Sequence, residues 1–395
     1  MKWASTVSRQ QTLKGAIEEC VSGVLSDMSG VTPDLAVVFG SGHFAAQYEQ
    51  IPAMIQAKLG PVLLFGCSAG GVIGGGREVE NSHGFSLTVA HLPDVELLPF
   101  HLEGDELPDM DAGPDAWEKA IKVSAEDNPR FLLLIDPFSF PAQNFVGGLD
   151  YAFSRSVKIG GLASGGRQRG ENGLFLGDKV YRSGAVGIAM KGNIAVDTIV
   201  AQGCRPIGNV MSITKSQQNL LLELDQRPPL EVVRELYMAA NERDQGLMQH
   251  SLFLGMVMDD LIDHPRQGDF LIRNIIGLDA RTGVMAIGEM LREGQRVQFH
   301  LRDALTSAED LAALLTRYAS EERGTPYHGA LLFSCLGRGQ YLYGRPDHDT
   351  DLFRGKVGAI PLGGFFCNGE IGQVGGTTFL HGYTSSFGIF RPINE

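Results

Sequence analysis

Apolar and polar positions recur along this chain as one repeated unit. Residues 35–39 form an apolar run that stops at Gly40-Ser41-Gly42, the pattern of a buried strand followed by a turn. The stretch 44–59 predicts a helix closed by Gly60-Pro61, a glycine–proline stop. A second apolar run, 62–65, enters Gly66-Cys67-Ser68-Ala69-Gly70-Gly71, and a polar arm at 77–80 and a strand from Phe85 to Ala90 follow. A second unit starts at 131–135, carries a helix around 145–153, and reaches Leu162-Ala163-Ser164-Gly165-Gly166 from the strand at 158–161. Its arm contains Asn172-Gly173 and Gly177-Asp178, and a strand at 185–190 closes it. A third unit starts at 331–333, crosses an irregular charged stretch and arrives at Gly363-Gly364 and Cys367-Asn368-Gly369-Glu370. Aligning Gly66 with Gly364 carries Gly71 onto Gly369 and His83-Gly84 onto His381-Gly382 without a gap. The polar arms read as hairpins, because glycine beside Asn or Asp readily takes the positive φ of tight turns.

The pattern predicts an α+β fold of mixed β-sheets covered by helices, built from repeated strand–connection–strand–glycine-loop–hairpin units. Residues 1–30 read as a helical lead-in, with the helix near 13–25. A first domain spans 31–205 and a second 227–395. Between them, 206–226 reads as a linker, because patterning fades at Arg205-Pro206, although the apolar run 220–224 could still join a sheet. In the second domain a helix is expected at 230–241 after Pro228-Pro229, strands at 270–278, 284–287 and 296–300, and a helix opened by a Thr306–Glu309 capping box.

Composition narrows the function classes. Lys plus Arg number 33 and Asp plus Glu 46, a net charge of −13. Neither a general nucleic-acid binder nor a polybasic membrane-surface protein has that balance. No apolar run approaches the ~20 residues that cross a bilayer, and no secretory signal opens the chain. Five scattered cysteines without a Cys-x-x-Cys pair fit reduced thiols in the cytoplasm better than disulfides or zinc. Glycine, at 51 of 395 residues, is well above the usual ~7%. Two readings of the repeat follow. It is either fold history alone, or its glycine loops line a shared cavity where a ligand approaches backbone.

The candidate chemistry is sparse. The 66–71 loop lacks the lysine of a phosphate-binding loop, and Ser68 does not lie in Gly-x-Ser-x-Gly. Cys67, Cys335 and Cys367 follow apolar runs and read as small buried hydrophobes. A catalytic thiolate would need a base such as His83 or His381. The densest polar cluster joins Cys335-Leu336-Gly337-Arg338-Gly339 to Asn368-Gly369-Glu370 and His381. Here Arg338 offers a bidentate clamp for a carboxylate and Glu370 a counter-charge for an amine. A plain salt bridge between the two loops is the competing reading. Asp347, His348, Asp349 and Asp351 lie close in sequence but read as a solvated loop, and no metal is expected. Cys67, Ser68, Gly70 and Gly71 make a second candidate loop.

The segments Phe333-Ser334-Cys335-Leu336-Gly337-Arg338-Gly339 and Phe365-Phe366-Cys367-Asn368-Gly369-Glu370-Ile371-Gly372, continuing to His381-Gly382-Tyr383-Thr384, resemble the two signatures of the FIST C-terminal domain. The 66–71 loop and the arm after it resemble the FIST N-terminal domain. FIST stands for F-box and intracellular signal transduction proteins. The resemblance implies a cytoplasmic sensory protein that binds a small ligand, such as an amino acid, and signals through a protein partner, with no cofactor. Some members carry an F-box before this region or sit beside an output domain, and the residues before the first strand are too few for an F-box. An enzyme acting on a small acyl or amino-acid-like substrate through Cys367, Glu370 or His381, and a ligand-free scaffold, are the alternatives.

Overall fold

The structure is a computed structural model that describes residues 1–322 and 324–394. It divides into two compact units, one of residues 1–200, 312–380 and 384–395, the other of 201–311 and 381–383.

The first unit is built from three repeats. Repeat one runs β1 (Lys2–Ser8), α1 (Leu13–Met28), β2 (Leu35–Ser41), a 3-10 helix (Gly42–Gln50), α2 (Ile51–Leu59), β3 (Leu63–Ala69), the hairpin β4 (Gly71–Gly74) and β5 (Arg77–Glu80), and β6 (Phe85–His91). Repeat two runs β7 (Val95–Leu102), α3 (Pro114–Ile121), β8 (Arg130–Ile135), α4 (Ala142–Ala152), β9 (Lys158–Leu162), the hairpin β10 (Leu174–Leu176) and β11 (Lys179–Tyr181), and β12 (Ala185–Gly192). β13 (Ala195–Ala201) opens repeat three.

The chain then forms the second unit, a closed antiparallel barrel. Its strands are β14 (Cys204–Gln217), β15 (Leu220–Leu224), β16 (Leu252–Val257), β17 (Phe270–Leu278), β18 (Met285–Ile287) and β19 (Arg296–Arg302), in the order β14-β15-β18-β17-β16-β19. Helices α5 (Pro229–Ala239) and α6 (Glu242–Met248) connect β15 to β16. Ile213, Leu221, Leu254, Ile287, Val297 and Phe299 fill its core. Residues 206–226, expected as a linker, are therefore two barrel strands. The 14-residue β14 is bulged where it pairs β15 and β19, and the irregular register hides its alternation.

Repeat three resumes with α7 (Ala304–Ser320), β20 (Gly329–Cys335), α8 (Gly339–Tyr343), α9 (His348–Lys356), β21 (Leu362–Cys367), the hairpin β22 (Glu370–Val374) and β23 (Thr377–His381), and β24 (Ser385–Arg391). The expected capping box at Thr306 is replaced by Asp303, whose Oδ1 accepts from Thr306 N at 2.9 Å. Aspartate is at least as good an N-cap as threonine. The irregular charged stretch of this repeat is α8 and α9. Residues 1–30 are not helical throughout, because β1 pairs antiparallel with β6, Trp3 opposite Ala90.

The three sheets share one strand order: β1-β6-β2-β3-β10-β11, β7-β12-β8-β9-β22-β23 and β13-β24-β20-β21-β4-β5. Each ends in a hairpin donated by another repeat. The arm of repeat one joins repeat three, that of three joins two, and that of two joins one. This cyclic exchange turns every third strand from an edge into a paired strand. Alternate residues of β2 and β8 serve two layers. Leu35, Val37, Phe39, Leu132 and Leu134 enter a core common to the three repeats, together with Phe333 and Phe365. Ala36 and Val38 pack under α1 and α2, and Phe131, Leu133 and Ile135 under α3 and α4. Burial on both faces is why these strands read as continuous apolar runs.

Three glycines hold equivalent places. Gly66, Gly160 and Gly364 lie opposite Val38, Leu133 and Leu332 of the parallel neighbour strand. A Cβ there would stand 1.8–1.9 Å from the neighbour's carbonyl oxygen, and φ is +152° at Gly160 and +142° at Gly364. The gap-free alignment holds from Gly66 to the arm and then slips by two. β22 and β23 have five residues each where β4 and β5 have four. Ser41 N donates to Gly84 O and Cys335 N to Thr384 O, so Thr384, rather than Gly382, stands where Gly84 does.

Candidate functional site

β20 and β21 are parallel neighbours with Cys335 beside Cys367, so the loops that leave them emerge side by side. The side chain of Arg338 turns inward and is fully buried. Its Nε donates to Asp349 Oδ2 at 2.8 Å, and its Nη2 to Asp349 Oδ1 at 3.2 Å and to the Tyr343 hydroxyl at 2.6 Å. Asp349 is also held by His348 Nδ1 at 2.9 Å and by the Ser385 hydroxyl, which donates at 2.5 Å. The His348 ring stacks on Tyr343 with centroids 3.4 Å apart. Burial works against the charge on Asp349. The Arg338 guanidinium and the hydrogen bonds from His348 and Ser385 outweigh it and hold the carboxyl well below its usual range. The same partnership raises Arg338 further, against its own desolvation.

The carboxylate in the Arg338 clamp is therefore one of the chain's own. Asp347, His348 and Asp349 are not solvated; all three are buried where α9 begins. Glu370 is buried too, and its Oε2 accepts from Thr384 N at 3.1 Å and from Thr384 Oγ1 at 2.7 Å. Adjacent residues thus serve the two acids, Thr384 holding Glu370 and Ser385 holding Asp349. His381 ends β23, is buried, and belongs to the second compact unit.

The three glycine loops come together in the first unit. Gly70 N donates to Ser164 Oγ at 2.9 Å, and that hydroxyl donates to Phe366 O at 2.5 Å. Ser164 N bonds Ser68 O, Leu162 N bonds Gly369 O, Asn368 N bonds Leu162 O and Leu336 N bonds Cys367 O. A side chain at Gly165 would strike Ser68 Cβ and the Ala69 backbone, so the close approach needs glycine there. At this junction Gly70, Leu336 and Asn368 are exposed, while Ser164, Cys335 and Gly337 are half-buried. Beneath it, Ser68 Oγ donates to Asn172 Oδ1 at 2.8 Å, and Asn172 Nδ2 donates to Asp136 Oδ1 at 2.9 Å. Arg338 Nη1 and Ser334 Oγ are buried and have no hydrogen-bond partner among the described residues.

Ser164, Asp136, Asn172 and Asp349 were missed as site residues. The Asn172-Gly173 pair was visible but had no partner to point to in sequence. Asp349 was hidden because the apolar spacing of α9 is broken by charges, leaving Phe353, one turn on, as the only sign of a buried face.

Neither Cys67 nor Cys367 is set up as a nucleophile: both are fully buried, and desolvation pushes both thiols well up. No disulfide is formed among the described residues. Among the described residues no cluster of three or more His, Cys, Asp or Glu is placed to hold a metal ion, and no helix is long and apolar enough to cross a membrane.

The FIST N domain profile matches residues 34–227 and the FIST C domain profile residues 229–373. The chain belongs to the FIST family, whose domains are associated with sensory and signal-transduction roles. Its relatives include the uncharacterized protein Rv0628c of Mycobacterium tuberculosis, 37% identical over 384 residues, covering 97% of this chain and 98% of that one. The uncharacterized protein Mb0898c of Mycobacterium bovis is 33% identical over 375 residues, 95% of each chain. An F-box/LRR-repeat protein of Arabidopsis thaliana is 29% identical over 115 residues, 25% of this chain and 22% of that one. Among solved structures, cyanuric acid hydrolase from A. caulinodans aligns over 98% of this chain and 99% of its own, at 9% identity and a TM-score of 0.35.

Proposed function

We propose that this protein is a cytoplasmic sensor that binds a small polar ligand, such as an amino acid, at the junction of its three glycine loops and signals through a protein partner. The observation that carries the reading is the junction itself. Three loops far apart in sequence, one per repeat, meet with Gly70 and Asn368 exposed. A ligand seated there touches all three repeats, so binding changes how they are tied together, which is what a sensor requires. The Arg338–Asp349 pair acts as the rigid support of the Cys335–Gly339 loop, while Asn368 and the half-buried Ser164 and Cys335 present polar groups to the ligand. The dispersed cysteines, none in a disulfide among the described residues, support a reducing compartment.

A thermal-shift screen of the amino acids tests this. A ligand at about 100 times its dissociation constant adds roughly 2.7 kcal/mol of stability. Asn368→Ala should weaken the ligand at least several-fold while leaving the unliganded melting temperature within a degree or two. If a binder is found and Asn368→Ala leaves its affinity unchanged, the site is misplaced. If none of the amino acids shifts the melt, that ligand class is wrong.

A further inference from the structure

Glu78 is the buried acid that the ligand site does not use. It lies on β5, in the arm that repeat one lends to repeat three, and is 1% exposed. Its Oε1 accepts from Thr350 N of α9 at 3.1 Å, and its own N–H donates to Asp347 Oδ1 at 2.6 Å. Its Oε2 and the Thr350 hydroxyl are both buried without a hydrogen-bond partner among the described residues. The acids around it are Asp347, Asp349 and Glu80. The nearby cations are already engaged. Arg338 is paired with Asp349, Arg77 with Asp347 at 2.9 Å, and Arg9 reaches only the Glu78 carbonyl, at 3.4 Å. His348 is bonded to Asp349, and Asp351 to Arg345 and Arg354. Thr350 also borders a cavity of about 240 Å³ beside Gly75, Gly76 and Phe353.

We propose that Glu78 is a proton latch, holding the first arm on the third repeat in its neutral carboxyl form and loosening it on ionisation. As a carboxylate, Glu78 leaves one oxygen buried without a donor among three other acids. As a carboxylic acid it carries no charge among those acids, and the like-charge repulsion vanishes. Burial, then the Asp349 charge, raises the Glu78 carboxyl to about 8, against the opposing bond from Thr350 N. The folded acid thus binds its proton more tightly than the unfolded one. The stability this gives is complete below the unfolded value of about 4.3 and is lost as pH rises toward the folded one. Opening of the arm should therefore increase by up to about tenfold per pH unit over that window.

The test is hydrogen exchange of residues 71–80 in the full-length protein at pH 5.5 and 7.5, corrected for intrinsic rates, in wild type and Glu78→Gln. Wild type should lose protection in the arm by more than tenfold relative to β8, and Glu78→Gln should lose none. Equal pH dependence in the two proteins, or none in wild type, overturns the latch. Should the variant fail to fold, carbon-13 titration of the wild-type Glu78 carboxyl decides. A midpoint near 8 supports the proposal and one near 4.5 refutes it. Neither readout involves the ligand, so its failure leaves the glycine-loop site standing.

Discussion

The buried Arg338–Asp349 pair sets the clearest energetic expectation. Both side chains are essentially inaccessible, at 0% and 2%, and their contact is bidentate. Asp349→Leu leaves a guanidinium in the interior with only Tyr343 as partner. Breaking a buried pair in this way costs about 3–5 kcal/mol. Arg338→Met should cost less, because His348 and Ser385 still bond the stranded carboxylate, which can also take up a proton. The double variant removes both charges but takes the buried Ser385 and Tyr343 hydroxyls away from their partners, so it should cost less than Asp349→Leu alone without returning to wild type. The coupling energy is then favourable and larger than the Arg338→Met loss. At roughly 2–4 °C per kcal/mol the Asp349→Leu melt should drop by about 6–20 °C, and the double variant should recover part of it. Thermal melts of the four proteins at pH 7 supply the cycle. An Asp349→Leu shift under about 2 °C, or a double variant that merely sums the two losses, would refute the account of this network. The sign with pH is also fixed. The folded Asp349 carboxyl lies below its unfolded value, so its contribution is present above that value and is lost as pH falls through the folded one.

Three further outcomes are expected. Gly364→Ala, whose Cβ would sit 1.9 Å from Leu332 O at φ +142°, should abolish cooperative folding in circular dichroism melts. Gly355→Ala, with open space around its Cβ in α9, should instead stabilise by about 0.5–1 kcal/mol. In the barrel, burial lowers His300 to about 4, so it is neutral when folded. Stability should fall as pH drops from about 6.5 toward that value, by at most about 3 kcal/mol, and NMR titration of the His300 ring should show the depressed midpoint.

Much of the repeat was legible because burial on both faces writes β2, β8, β20 and their parallel partners as unbroken apolar runs. The second arm was legible because Gly177-Asp178 marks its tight turn, whereas Asn172-Gly173 lies just before β10 and not in a turn. The exchange of arms between repeats was not, because β-pairing is set by tertiary register and each arm carries the same alternation whichever sheet it joins. β1 and β13 went unread because serine, threonine and aspartate interrupt their apolar positions. Of the site, the glycine loops could be named from sequence, but not the partner of Arg338. Asp349 lies only eleven positions away, in a segment whose charges look like those of any solvated loop. A carboxylate's burial depends on what surrounds it in space, and Arg338 and Ser385 reach it from different elements.

The central claim is that the three glycine loops form one ligand site, and a hydrogen-exchange footprint tests it most directly. With a bound amino acid from the thermal-shift screen at saturation, protection should rise together at residues 68–71, 163–166, 335–339 and 368–370. Protection confined to one of these loops, or rising at positions outside all of them, would contradict the account.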